Sequence, residues 1–415
     1  MNFTIESNLS NLPRLFLNIP TYQQDINSLT IIFSLIRDIL QKRGSLLNLQ
    51  NLQELINTYF AIIGPLIPEI ACNKISPACC DIAAYIYRFI FELSIDNPPT
   101  FDPALQLVSS EEEPSVIFGL KLMTSVIDIM RSPMKHVVKA LKINEITEKF
   151  KNSQIPLFFQ KATEKAFNLN PLITPVALKL LVSIFNFLNP KSATINKDEK
   201  EAPDFDFEVP KEMIQFYGNL AFIQNLLQIY QEMNITDAID VIRCFLSASK
   251  CSWKSIGISP IVFINSIENG LTQILENFDN SENATFSITN LIFQLGKLIS
   301  VSQKDSDVEL SQTFISTIQK FSLTLFQSMT LFYNSCNNLL RFWRILFKDR
   351  GFIQKVVSVQ PDCFYLIFQS YINSIIESIT PNMMVDEFPE VFQNFDQLIN
   401  DFTSLGVICQ VSIEP

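Results

Sequence analysis

The residues of this chain that are equipped for chemistry are few and scattered. Its one histidine, His136, lies in "SPMKHVVKALK" beside lysines, with no HExxH or CxxC pattern around it. A Ser-His-Asp hydrolase, a Cys-His protease or a histidine zinc site would have to run through that residue, with every partner drawn from elsewhere in the chain. His136 reads instead as an exposed helix-surface residue. The eight cysteines, Cys72, Cys79, Cys80, Cys244, Cys251, Cys336, Cys363 and Cys409, form no CxxC pair and most sit in apolar stretches, so they read as small buried hydrophobes.

Carboxylates cluster twice. "SSEEEPS" at 109–115 places Ser110 and Glu113 just ahead of the apolar run "SVIFGLKLM", which is the pattern of a helix entry where acids complement the N-terminal dipole. "DFDFE" at 204–208 closes a charged segment and reads as a solvated group. GxxxxGK[ST], GxGxxG and GxSxG are all missing, and so are the nucleotide loop and nucleophile elbow that those spacings build. The expectation is a protein without catalytic residues, cofactor or metal.

The elements that would position any site are helices. Nine glycines in 415 residues fall far below the usual share of about 7%. Hairpins, bulges and phosphate loops draw on glycine for positive φ, so the scarcity favours an all-α chain. Hydrophobic residues make up 47% and charged residues 18%, which is the composition of a folded protein. In "INSLTIIFSLIRDIL", Ile26, Leu29, Ile32, Phe33, Ile36, Ile39 and Leu40 repeat at threes and fours and make one apolar face. Similar runs begin near residues 51, 77, 114, 175, 218, 236, 260, 285 and 308. Their pairing recurs at roughly 40 to 50 residues, the period of stacked two-helix repeats of the HEAT or armadillo type. The expected fold is therefore an all-α solenoid of HEAT-like antiparallel helix pairs in a right-handed superhelical array.

Residues 189–212, "NPKSATINKDEKEAPDFDFEVPKE", lack apolar period and hold three prolines. They divide the chain into N-terminal repeats at 1–189, a charged loop at 190–210 and further repeats at 211–415. The net charge of −11 argues against a nucleic-acid partner, whose binding needs clustered Lys and Arg. No secretory leader opens the chain and no apolar run is long enough to span a bilayer, so a reduced intracellular setting is expected. Trp343, in "NNLLRFWRILFKDRG", falls among Leu339, Leu340, Phe342, Ile345 and Leu346 and reads as core, with Arg341 and Arg344 laying their aliphatic stems along apolar neighbours. Trp253, flanked by lysines in "SKCSWKSIG", reads as partly exposed.

The order of several segments resembles the N-terminal part of the importin-β superfamily, in its exportin-seven-like branch. The resemblance runs through "SVIFGLKLMTSVIDIM", "ALKINEITEKFKNSQIPLFFQKATEKA", "FNFLNP" with the acidic "FDF" loop, and "LAFIQNLLQIYQEM". It continues through "FINSIENGLTQILEN", "ITNLIFQLGKLIS", "LTLFQSMTLFYNSCNNLLRFWRIL" and "FDQLINDFTSLGVICQ". It covers most of this chain and only part of such a receptor, with the first repeat incomplete and "DINSLTIIFSLIRDIL" standing as its second helix. Met213 falls where the family tends to carry tryptophan, and the loop is shorter. What the resemblance implies is a nuclear transport receptor that shuttles between nucleus and cytoplasm. It would bind the GTPase Ran in its GTP form, protein cargo, and Phe-Gly nucleoporins between outer helices. The helices at 46–66 and 76–95 are then the Ran-facing candidates, with Glu54, Asp81 and Arg88 as the polar positions. The alternative is a non-catalytic helical-repeat scaffold, or a shortened paralogue, that has lost Ran binding.

Overall fold

The computed structural model describes residues 9–22, 25–95, 101–131, 140–188, 210, 213, 219–249, 260–276, 278, 281–302, 310–329, 331–347 and 362–378. Among them there is no strand, and the chain is all-α. By contacts it divides into two compact units, Met1–Ile214 and Gln215–Pro415. Apart from Pro210, the charged loop expected at 190–210 lies outside the described residues, as do His136, Trp253, Cys251, Cys409 and the "DFDFE" group.

The first unit contains α1 (Leu12–Asn18), α2 (Ile26–Arg43), α3 (Leu49–Ile63), α4 (Ile67–Ile70), α5 (Ser76–Leu93), α6 (Asp102–Val108), α7 (Glu113–Arg131), α8 (Ala140–Ser153), α9 (Ile155–Ala166) and α10 (Thr174–Leu188). Local signals set many of the starts. The Asp25 carboxylate accepts from the N–H groups of Asn27 and Ser28 at 3.1 and 3.3 Å, and the Asn48 side chain accepts from Asn51 N–H at 2.8 Å. Proline occupies the first turn of α1, α4, α5, α6 and α9, where its missing N–H is not needed. The helix entry read at Ser110–Glu113 is present, with Ser110 Oγ accepting from Glu112 N–H at 3.1 Å ahead of α7.

These helices form two layers. In one, α2 packs on α5, α5 on α7 and α7 on α10; on the other side, α1 lies on α2, α3 on α5, α6 on α7 and α9 on α10. The second unit repeats the plan with α11 (Leu220–Met233), α12 (Thr236–Ser249), α13 (Pro260–Glu276), α14 (Glu282–Ser302), α15 (Gln312–Phe326), α16 (Tyr333–Phe347) and α17 (Cys363–Ser378). There α11, α13, α15 and α17 make one layer, α12, α14 and α16 the other, and the pairs α11–α12, α13–α14 and α15–α16 join them. Between α11 and α12, Asn234 takes φ 53°, the left-handed stop that lets the partner helix fold straight back.

Contacts between layers are apolar and, in the first unit, aromatic. Ring neighbours run from Phe16 to Tyr59, Phe60, Tyr87, Phe101, Phe150 and Phe187, with centroids 4.7–6.3 Å apart. Polar ties reach from one helix pair to the next. Lys121 Nζ donates to Ala71 O at 2.7 Å, 50 residues away, and Lys149 Nζ to Ile95 O at 2.6 Å, 54 residues away. In the second unit the buried Glu268 carboxylate accepts from Ser311 N–H at 2.7 Å, 43 residues on, at the start of α15. These separations lie close to the pairing period read from the sequence. Trp343 is core: it is 1% exposed, and its Nε1 donates to Ser322 Oγ at 3.0 Å.

Candidate partner-binding face

On α5 the residues left outside the core fall at helical spacing. Asp81 and Tyr85 are half-buried on the side of α5 turned away from the α3 layer, four residues and one turn apart. The neighbouring helices of the same layer close on them. Arg37 of α2 brings Nη1 to 3.5 Å from Asp81 Oδ2, and Ser125 of α7 lies near enough to the same carboxylate to favour its charged form. A three-helix seam, α2–α5–α7, thus converges on Asp81.

Its electrostatics follow from partial burial. Desolvation raises the Asp81 carboxyl above its ordinary range, with Ser125 and Arg37 opposing that rise. The Tyr85 phenol is also pushed up, first by burial and then by the Asp81 charge, against Arg37 and Arg88. Arg37 and Asp81 retain side-chain exposures of 42% and 30%, so both can meet a partner.

The other two expected positions behave differently. Glu54 is exposed on α3, in the opposite layer, where it accepts from Gln50 Nε2 at 3.2 Å. It does not join the seam. Arg88 corrects the expectation: it is 4% exposed, its Nε pairs with Glu92 Oε1 at 2.7 Å, and its Nη1 donates to the backbone oxygen of Ile129. The guanidinium holds α5 to the end of α7 and presents nothing to a partner. Spacing in "DIAAYIYR" put Asp81, Tyr85 and Arg88 on one stripe, and the packing of α7 then covered its far end. Sequence reasoning missed Arg37 and Ser125. The signal available was their position opposite the apolar faces of "INSLTIIFSLIRDIL" and "SVIFGLKLMTSVIDIM".

Beside the seam, α2 carries a groove of about 440 Å³ lined by Thr30, Ile31, Ser34, Leu35, Arg37, Asp38 and Gln41. Asp38 is held there by Lys42 at 2.7 Å.

Most of the described cysteines are core residues. Cys79, Cys80, Cys244, Cys336 and Cys363 are buried and Cys72 is exposed. Burial pushes the thiols of Cys80, Cys336 and Cys363 up to about 12, which keeps them protonated near neutral pH. Among the described residues no group of three or more His, Cys, Asp or Glu side chains could hold a metal ion, and no helix is long and apolar enough to cross a membrane. The chain matches no protein-family model and no curated protein.

Proposed function

We propose that this chain is a protein-binding helical-repeat receptor whose partner contacts lie along the outer face of α2, α5 and α7. The observation that carries the reading is the Arg37–Asp81–Ser125 seam, in which three helices of one layer bring polar groups to a single half-buried carboxylate. A layered helix array offers long faces of this kind for partners. The specific form we propose is a nuclear transport receptor of the importin-β type, shuttling between cytoplasm and nucleus. Asp81 would touch Ran-GTP, and cargo and Phe-Gly nucleoporins would use other faces of the array. The resemblance in segment order supports this form.

The test is capture of the full chain by Ran loaded with GTP or with GDP. Selective capture by the GTP form, weakened by D81K, is the expected result. Equal capture by both forms, or none, would overturn the transport reading and leave the second one, a scaffold without Ran contacts. The inward Arg88 and the separation of Glu54 from Asp81 favour that second reading, since they leave Asp81 as the single expected contact on the seam.

A further inference from the structure

We infer that α8 is a hinged strap that opens from the first unit as one piece about Gln154, and that closing it seats its own Phe150 in an aromatic socket. The inference is independent of what the α2–α5–α7 face binds.

Chain geometry sets the hinge. A single residue, Gln154, separates α8 from α9, and α9 is the helix on which α8 mainly packs. Gln154 N–H donates to Phe150 O at 2.9 Å and Phe158 N–H to Gln154 O at 3.0 Å, so the backbone passes from one helix directly into the next. The Gln154 side chain is 4% exposed, yet its Oε1 accepts no hydrogen bond. A buried carbonyl without a donor is costly, and a motion that brings it to water relieves that cost.

The strap is lightly held. Of the α8 side chains 144–153, only Ile146 and Phe150 are buried, against six residues of the twelve in α9 and nine of the fifteen in α10. Elements with few buried apolar groups open locally at a lower free energy than the core around them. Phe150 and Lys149 fasten α8 shut. The Phe150 ring meets Phe91 of α5, Phe101 at the start of α6, Phe158 of α9 and Phe187 of α10 edge-on, with centroids 5.4–6.1 Å away. Beside it, Lys149 Nζ donates to Ile95 O at 2.6 Å, just past the end of α5. Glu148 and Lys151, by contrast, pair along α8 itself at 3.3 Å. Opening withdraws Phe150 and uncovers a socket walled by four phenyl rings, which the closed chain fills with its own side chain.

Hydrogen–deuterium exchange of the full chain, read by mass spectrometry, tests the strap. Amides in the second half of α8 are expected to exchange about tenfold or more faster than those of α10. K149M removes a hydrogen bond from a charged donor and should speed exchange in α8 by about a further tenfold, with α10 unchanged. K151M loses only the pair along α8 and should change exchange there by less than about threefold. Both lysines are half-buried at the surface, and neither substitution removes a core side chain. Exchange of α8 at the rate of α10 would overturn the inference. So would a K149M effect that is absent, shared equally by α10, or matched by K151M.

Discussion

Replacing Arg88 by methionine separates a packing role from a binding role. The Arg88 and Glu92 side chains are 5% and 10% exposed and lie 2.7 Å apart on adjacent turns of α5. Methionine keeps most of the volume and removes the charge, so the Glu92 carboxylate stays buried without its cation, a loss of about 3–5 kcal/mol. The variant also loses the bond to Ile129 O, one of the last four carbonyls of α7, where a cation complements the helix dipole. For a unit of this size each kcal/mol moves the melting midpoint by about 2–4 °C, so R88M should melt about 6–20 °C lower. The double variant R88M/E92M replaces the pair by apolar side chains and should recover to within about 1 kcal/mol of the parent. Calorimetry and urea titration followed by circular dichroism on the full chain read both numbers. If R88M melts within a degree of the parent, or if the double variant loses as much as the single one, the buried-pair reasoning is refuted. A binding role for Arg88 would show instead as lost partner capture at an unchanged midpoint.

Glycine substitutions should divide by packing. A Cβ at Gly119 would stand 2.8 Å from Val108 Cγ2 and 2.9 Å from its backbone nitrogen, whereas one at Gly64 meets nothing within 4 Å. G119A is expected to lose about 1–3 kcal/mol by overpacking, and G64A, at an ordinary helical φ of −47°, to gain about 0.4–1 kcal/mol; urea midpoints compare them. W343A should cost about 3–5 kcal/mol, because it empties a fully buried site on α16, and a loss below 1 kcal/mol would place Trp343 outside the core. For Asp81 the folded carboxyl titrates above its ordinary value, so protonation favours the fold, and that stability is lost as pH rises through the folded value. D81N, which cannot ionise, should therefore gain on the parent at pH 7 and lose that advantage below pH 3.8. A melting-midpoint difference that is constant across this range would count against the sign.

The long helices were legible in the sequence because amphipathic period is a local property. "INSLTIIFSLIRDIL" lies within α2, and the apolar positions read there, save Ile26, are the ones that α1 and α5 bury. Ile26, the first residue of α2, is 48% exposed. Other elements escaped. The sequence "DPALQLV" of α6 is only seven residues long, too few turns for a period to show, and α17 went unread within "CFYLIFQSYINSIIES" because apolar residues spread around the helix rather than along one side.

The candidate site divides along the same line. Residue types and spacing along one helix determined that Asp81, Tyr85 and Arg88 share a stripe, since 3.6 residues per turn is fixed by backbone hydrogen bonding alone. Which of them reaches solvent was decided by α7, which packs over Arg88 and leaves Asp81 open to Arg37 and Ser125. Those partners lie 44 residues away on either side, and a contact across that separation depends on how whole helices stack. The periodicity of one segment carries no information about the helix that will cover it. Sequence by itself determined an all-α chain of amphipathic helices; only tertiary packing decided which polar groups those helices bury and which they present.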